Sequence, residues 1–153
     1  MDSSSTVTEL AGLMGEFRDK HIMSNGVDTV NILNDFANIT VYSTGGVIQN
    51  HSSMVGAAAA TAISEMYVDI FFFSCCGAAV GKGITEATEQ TAIIKRKMLK
   101  NAEKKILLAD SSKINSTFLC RVCDMSEIDL IITDKCPDEQ FLNNAGCEVE
   151  YPK

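Results

Sequence analysis

A polar segment directly follows an apolar run in the second half of the chain. Ile106-Leu107-Leu108 has the composition of a buried strand, and residues 109–114 (Ala-Asp-Ser-Ser-Lys-Ile) then present an acid, two hydroxyls and a lysine. In open α/β sheets, ligands bind outside the carboxyl ends of the strands. Hydroxyls and an ammonium group donate hydrogen bonds and supply positive charge, which suits a phosphate or a polyol. A polar turn with a solvated lysine explains the same residues, because turns are commonly rich in Ser and Asp.

A second hydroxyl-rich segment, Asp2-Ser3-Ser4-Ser5-Thr6, opens the chain ahead of apolar residues at helical spacing. Thr6 and Glu9 have the spacing of a capping box, which predicts that a helix starts near Thr6. Free amides and the helix dipole make such a start an anion site. An ordinary N-terminal cap accounts for the same residues.

Apolar runs and helical repeats alternate along the rest of the chain. The patterns predict helices from near residue 6 and at 27–36, 57–66, 86–102 and 138–144, and strands at 21–25, 38–44, 68–74, 104–110, 129–133 and 148–151. Phe71-Phe72-Phe73 is typical of a strand buried on both faces, as in a parallel sheet. Thr44-Gly45-Gly46 and a glycine-rich loop at 77–85 follow two of the strands; paired glycines allow a close approach to a ligand or a tight turn. This order predicts one α/β domain over residues 1–153, with a mostly parallel open sheet and helices on both faces.

Composition and charge limit the function. The chain has 153 residues, 46% of them hydrophobic, and a net charge of −7. An acidic chain is a poor general binder of nucleic acid, and no apolar run approaches the length of a membrane span. The basic residues of the predicted helix 86–102, Lys95 among them, are interpreted as a solvated outer face near the helix C-terminus.

Six cysteines are present, and Cys120 and Cys123 have zinc-ligand spacing. A second pair at a suitable distance is lacking, and Phe118, Leu119 and Val122 make the surroundings apolar. We therefore expect reduced structural thiols, as in a cytosolic protein, with no metal and no cofactor.

Taken in order, the motifs resemble the C-terminal effector-binding domain of DeoR-type bacterial transcriptional repressors, over nearly the whole chain. The segments that carry the resemblance are Asp2-Ser-Ser-Ser-Thr6, Ser24-Asn25-Gly26, Thr44-Gly45-Gly46, Ser53-x-x-Gly56, Val68-Asp69-x-x-Phe72, Gly77 with Gly83-Ile84-Thr85, Glu89, Leu108-Ala-Asp-Ser-Ser-Lys113 and Ile131-Ile-Thr-Asp134. The resemblance implies a fold like that of ribose-5-phosphate isomerase and the acyl-CoA transferases. It also implies a cytoplasmic regulator in which a phosphorylated sugar or sugar-pathway metabolite weakens operator binding by a preceding winged helix-turn-helix domain.

The resemblance also implies a ligand site. Ser3, Ser4, Ser5 and Thr6 would hold the phosphate, although relatives often carry Gly and Thr there. Thr44, Gly45 and Gly46 would line the pocket through their backbone, near Ser53. Cys76, Gly77 and their neighbours would close over the sugar, and Cys75 and Cys76 stand where other members carry small residues. Glu89 and Asp110 would accept hydrogen bonds from hydroxyls, and Lys113 would supply positive charge.

By the same resemblance the chain is a fragment that lacks the DNA-binding segment and the apolar first strand. That strand would lie between the strands predicted at 21–25 and 68–74. We therefore expect the domain to form a homo-oligomer, or the two flanking strands to pair directly with each other.

Two other function classes are consistent with parts of the sequence. A phosphosugar isomerase needs a base, which Glu89 could supply. The isomerase has Asp-Gly-Ala-Asp after its Phe-rich strand, however, whereas this chain has Cys75-Cys76-Gly77-Ala78, so we predict that it is not an enzyme. A pure oligomerisation module would not need polar residues at several strand ends.

Overall fold

Four parallel strands form the main sheet of the computed structural model, which describes residues 1–152. Their order across the sheet is β11 (Glu148–Glu150), β10 (Leu130–Ile132), β8 (Ala102–Leu108) and β5 (Val68–Phe73). The helices are α1 (Ser5–Leu13), α2 (Val27–Asn34), α3 (Ala57–Ser64), α4 (Glu89–Lys100) and α5 (Glu139–Asn144), with 3-10 turns at Met14–Glu16 and Met125–Glu127. The predicted α/β class with a parallel sheet is confirmed.

The main core lies around the second halves of β5 and β8, because Phe71–Phe73 and Ile106–Leu108 are apolar on both faces. Phe71 and Phe73 stack with their ring centroids 4.9 Å apart, and both are buried with Leu107 and Ile131. No helix within residues 1–152 is long and apolar enough to cross a membrane.

A separate parallel pair consists of β1 (Lys20–Ser24) and β2 (Ile39–Ser43), in register from Lys20 opposite Ile39 to Ser24 opposite Ser43. It shares a second core with α1 and α2, formed by Met1, Val7, Ala11, Ile22 and Leu33. β1 therefore packs in the second core and β5 packs mainly in the main core, and Met1 belongs to the second core.

Antiparallel strands supply the remaining elements. One hairpin joins β3 (Val47–Gln49) to β4 (Ser53–Val55), and a three-stranded sheet joins β6 (Gly77–Ala79), β7 (Gly83–Glu86) and β9 (Cys120–Cys123). The glycine-rich segment predicted as a loop is therefore largely a β-hairpin. A side chain at Gly83 would overlap the Cys123 carbonyl, so glycine lets β7 lie against β9.

One predicted boundary and one predicted cap were wrong. Helix α4 begins at Glu89 with Thr88 as its N-cap, and Glu86 is the last residue of β7. Helix α1 begins at Ser5, near the predicted start, but its N-cap is Ser4, two residues before the Thr6 of the predicted capping box. In both helices, an upstream hydroxyl is the side chain that satisfies a first-turn amide.

The first two residues lie between β1 and β5. Met1 donates from its amino group to the carbonyl of Met23 at 2.8 Å, and Asp2 donates from its amide to that of Phe72 at 3.2 Å. The two flanking strands belong to different sheets and do not pair directly with each other, contrary to one of the two expected outcomes. Beyond Met1, an apolar groove of about 720 Å³ continues between them.

Candidate functional site

The segment Ser3–Thr6 reaches its position because Asp2 is anchored at the end of β5. Asp2 accepts hydrogen bonds from the Ser74 amide at 3.0 Å and, through its other oxygen, from the Ser4 amide at 3.0 Å and the Ser4 hydroxyl at 2.6 Å. The Ser4 hydroxyl in turn accepts from the Val7 amide at 3.3 Å. The amides of Ser5 and Thr6 occupy the first helical turn, where no intrahelical partner exists, so they remain available to an anion.

Three further predicted segments meet Ser3–Thr6 at the carboxyl ends of β1 and β2. The Ser3 and Ser53 hydroxyls are 2.6 Å apart. The Thr44 amide donates to the Ser24 carbonyl at 3.2 Å, which holds the turn after β2 beside the end of β1. Asn25 is buried, and its side-chain amide donates to the Met54 carbonyl at 3.2 Å. Ser3, Ser53 and Thr44 thus lie along one polar edge of the fold.

The turn after β2 needs glycine for two different reasons. Gly45 has φ +64° and open space where a side chain would be, whereas Gly46 has φ +101° and lies against the Val55 carbonyl. The backbone therefore comes close to β4 at Gly46 only. Of the two explanations for paired glycines, a close approach to a ligand or a tight turn, the contact at Gly46 fits the tight turn.

Residues 110–116 form the other half of this edge, after β8. The Asp110 carboxylate accepts from the amide of Ser112 at 2.9 Å and from its hydroxyl, and these bonds hold the pKa of Asp110 below its usual value. Lys113 Nζ lies 3.7 Å from Asp110 in a partly exposed ion pair. Asp134, after β10, accepts from the Ser111 amide at 2.5 Å. Asp110 and Lys113 are thus brought together. Asp134 holds the turn that contains Ser111 beside the end of β10.

The segment after β5 is tied to residues 113–116 through the backbone. The Ala78 amide donates to the Lys113 carbonyl at 2.9 Å, and the Asn115 amide donates to the Ala78 carbonyl at 2.7 Å. A side chain at Gly77 would overlap the Ser116 carbonyl. Gly77 therefore packs against the Lys113 segment, which brings both predicted site residues to the same place.

Glu89 stands apart from the other predicted site residues. It is exposed in the first turn of α4, and across residues 1–152 neither a hydrogen bond nor an ion pair joins its side chain to the rest of the predicted set. An acidic residue at that position favours the helix dipole. Its predicted role as a hydroxyl acceptor gains no support from this placement.

Lys95 was misinterpreted as part of a solvated face. Its side chain is buried, and Nζ lies 3.0 Å from Asp2, 2.6 Å from the Ser74 carbonyl and in direct contact with Glu86. Burial acts to lower the pKa of Lys95, but the charges of Asp2 and Glu86 outweigh it and raise that pKa. Burial acts to raise the pKa of Asp2, and Lys95 with the hydrogen bonds from Ser4 and Ser74 leaves it lowered.

The signal that could have found Lys95 is its helical phase. It lies three residues after Ala92 and four before Leu99, which are both buried on the stripe that α4 turns to the core. A lysine within an apolar stripe indicates a buried partner. The sequence-based prediction missed that partner because it placed Glu86 at the start of the helix, whereas Glu86 lies in β7.

The cysteines are dispersed in the fold. All six are free thiols; Cys75 and Cys123 are buried, and Cys136 is exposed. Within residues 1–152, no three His, Cys, Asp or Glu side chains are grouped as metal ligands. Cys76 donates from its thiol to Glu86 at 3.2 Å, so its side chain is engaged with the buried ion cluster.

An α/β domain with serine hydroxyls, main-chain amides and a lysine at the carboxyl ends of its strands is built as a small-molecule-binding domain. The family described as DeoR C terminal sensor domain matches residues 1–135. The chain therefore belongs to the DeoR C-terminal sensor domain family, as the motifs predicted, and its role is that of a sensor domain.

Regulators from three bacteria are similar to this chain. It is 32% identical over 153 residues to the HTH-type transcriptional repressor GlcR of Bacillus subtilis, covering 97% of the chain and 58% of the relative. It is 31% identical to the L-fucose operon activator of Haemophilus influenzae, covering 88% and 54%. It is 30% identical to the HTH-type transcriptional regulator GolR of Listeria innocua, covering 88% and 53%. The chain thus spans little more than half the length of these relatives.

Proposed function

We propose that this chain is the effector-sensing part of a bacterial transcriptional regulator and that its effector is a phosphorylated sugar or sugar-pathway metabolite. The observation that carries the proposal is that two polar groups lie at the carboxyl ends of parallel strands. Ser3 and the free amides of α1 come from one side, and the Lys113–Asp110 pair comes from the other. The first group suits a phosphate and the second suits hydroxyls with additional positive charge.

The comparisons support a sugar-related effector and a DNA-linked readout. One relative is a regulator of an L-fucose operon, and two others carry the helix-turn-helix designation in their names. In the proposed scheme, effector binding changes how a DNA-binding domain joined to this one engages its operator. No catalytic step is part of the scheme, because the polar edge is explained by binding alone.

A thermal-shift screen tests the proposal. The purified chain is melted with inorganic phosphate, with a panel of sugar phosphates and with the matching free sugars. A ligand that binds only the folded state raises the melting temperature as its concentration exceeds the dissociation constant. We expect at least one sugar phosphate to raise the melting temperature more than its free sugar or phosphate does. Equal, negligible shifts throughout the panel would overturn the proposal.

We also propose that the domain self-associates. The groove between β1 and β5 is lined mostly by apolar residues, among them the exposed side chains of Phe17, Tyr67 and Ile70. Exposed apolar surface of this kind favours association. Sedimentation velocity at several concentrations tests this point, and a monomer at all of them would contradict it.

A further inference from the structure

Lys95 is the point at which three separate segments of the polar edge are joined. Its ammonium group contacts Asp2 ahead of α1, Glu86 at the end of β7, and the Ser74 carbonyl at the end of β5. The lysine side chain is 5% exposed, and those of Asp2 and Glu86 are 1% and 7% exposed. Two carboxylates and one ammonium leave this buried cluster with a formal charge of −1.

A cluster of this kind is an expensive way to gain stability alone. Moving charges out of water is unfavourable, and well-packed apolar side chains often replace buried ion pairs without loss of stability. Such a network instead fixes a specific geometry, since each member is held only when all its partners are in place.

On the first side, the cluster fixes the start of α1. Lys95 binds one oxygen of Asp2, at 3.0 Å, and the other Asp2 oxygen holds the Ser4 amide at 3.0 Å. The Ser4 hydroxyl, also bound to Asp2, caps Val7. The positions of the free amides of Ser5 and Thr6 therefore depend on Asp2, and that of Asp2 depends on Lys95.

On the second side, the same ammonium fixes the segment after β5. It binds the Ser74 carbonyl at 2.6 Å and Glu86, which accepts from the Cys76 thiol at 3.2 Å. Cys76 leads into Gly77 and thus into the backbone that pairs with the Lys113 segment. One buried side chain therefore reaches both halves of the polar edge.

We propose that Lys95 is a positioning residue of the effector site: without contacting the ligand, it sets the amides at the start of α1 relative to the Cys76–Lys113 side, so that one phosphorylated ligand can engage both. This inference rests on the proposed function. The ligand class is an anion that also carries hydroxyls, because the two halves offer amides on one side and an acid and a lysine on the other.

The test compares Lys95→Met with Lys97→Met, which removes an exposed lysine from the same helix. Amide hydrogen exchange of the ligand-free proteins is measured at Ser4 and Ser74, whose amides both donate hydrogen bonds to Asp2, with Leu107 as a core reference. Binding of inorganic phosphate and of glucose 6-phosphate is measured by calorimetry far below the melting temperature. Lys95→Met/Glu86→Gln is measured in parallel, because it keeps the cluster charge at −1 and leaves one buried carboxylate rather than two.

We expect Lys95→Met, or the double variant if the single one does not fold, to raise exchange at Ser4 and Ser74 at least about tenfold and to weaken phosphate binding by a similar factor, since small displacements in a preorganised site have effects of this size. Lys97→Met should match the wild type in both. A lower melting temperature with unchanged exchange at Ser4 and unchanged phosphate affinity would show that Lys95 serves stability only, and would overturn the inference. If the wild type itself binds neither probe while the Lys95 variants still lose protection, the proposed effector site is wrong and the positioning role falls with it.

Discussion

The amino group of Met1 donates to the carbonyl oxygen of Met23 at 2.8 Å, which places the first residue of the chain alongside β1. Asp2 turns its amide the other way, to the carbonyl of Phe72 on β5. Alternation of this kind is the pattern of a strand, in which successive residues pair with opposite neighbours. These two residues are therefore hydrogen-bonded like the end of a strand between the carboxyl ends of β1 and β5, and the groove continues along the same line toward the amino ends of the two strands.

Amide exchange should show which amides of β1 and β5 face this groove without a strand partner. In a parallel strand the amide and carbonyl of one residue face the same side, so the amides of Met23 and Phe72 face the groove, whereas those of Ile22 and Phe71 face β2 and β8. We expect Met23 and Phe72 to exchange faster than Ile22, Phe71 and Leu107. Equal, high protection at all five in a protein that sediments as a monomer would show that the groove is closed within one chain.

The pH dependence of stability should report the buried amino group of Met1. Burial lowers its pKa from 8.0 to about 6, although the charge of Asp2 acts in the opposite direction. Between these two values the unfolded chain binds more protons than the folded one, so this group makes stability rise with pH across that window. The full shift of two pKa units, at about 1.4 kcal/mol each, is worth roughly 3 kcal/mol, and about 2 kcal/mol of it is gained between pH 6 and pH 8, because the two states differ by only about half a proton at each end of this window.

Urea unfolding at pH 6 and pH 8 measures this gain, and acetylation of the Met1 amino group is the control because it removes the titration. The acetylated chain should lose the Met1 contribution to the pH dependence. The same slope before and after acetylation would place its origin in other groups.

The affinity for a phosphorylated sugar should depend on Lys113. Lys113→Ala removes the ammonium beside Asp110 and should weaken binding by about 1–3 kcal/mol, the usual scale for a charge-assisted hydrogen bond. Calorimetry with the ligand found by thermal shift measures the change. Lys104→Ala is a matched control, since Lys104 is an exposed lysine near the amino end of β8, whereas Lys113 follows the carboxyl end of the same strand. Unchanged binding in Lys113→Ala would remove this residue from the site.

The parallel sheet was predictable because its strands carry their signal locally. Phe71 to Phe73 and Ile106 to Leu108 are continuous apolar runs, and such runs need both faces covered. The polar ends of these strands were predictable for the same reason. A parallel sheet brings all its carboxyl ends to one edge, so Asp110 and Lys113, which follow β8, had to lie at the same edge as the end of β5 once the strands were identified.

The buried cluster was not predictable from local pattern. Lys95 lies among Arg96, Lys97 and Lys100, and three of these four side chains are exposed. Its helical phase sets Lys95 apart from these neighbours, but the phase does not identify its partners, which come from positions 2, 74 and 86, distant in sequence. The hairpin β6–β7 was missed on similar grounds, since Gly77 and Gly83 lie against Ser116 and Cys123, which are distant in sequence.

Thiol reactivity should follow burial. Burial raises the pKa of Cys75 and of Cys123 to about 12 each, and the thiolate is the reactive species, so both should resist modification in the native state. Cys136 is exposed and should react first. Titration with a disulfide reagent at pH 8, followed by peptide mass spectrometry, ranks the sites, and elemental mass spectrometry checks the expected absence of bound metal. Stoichiometric zinc in the purified protein, or Cys123 reacting ahead of Cys136, would contradict the expectation of buried, metal-free thiols.

The turn after β2 offers a paired test of backbone geometry. Gly45→Ala introduces a side chain into open space at φ +64°, a left-handed conformation that costs an ordinary residue about 1 kcal/mol. Gly46→Ala introduces one at φ +101°, where the new Cβ also overlaps the Val55 carbonyl and meets Ala59 Cβ at 3.1 Å. We expect Gly46→Ala to lower the free energy of unfolding by about 2–3 kcal/mol, because strain at such φ values is of this order and the contact with β4 cannot relax freely. Because this turn lies beside Ser24 at the proposed site, Gly46→Ala should also weaken ligand binding more than Gly45→Ala does. Equal losses of stability in the two variants would show that β4 moves aside, and that close packing at Gly46 does not hold the turn.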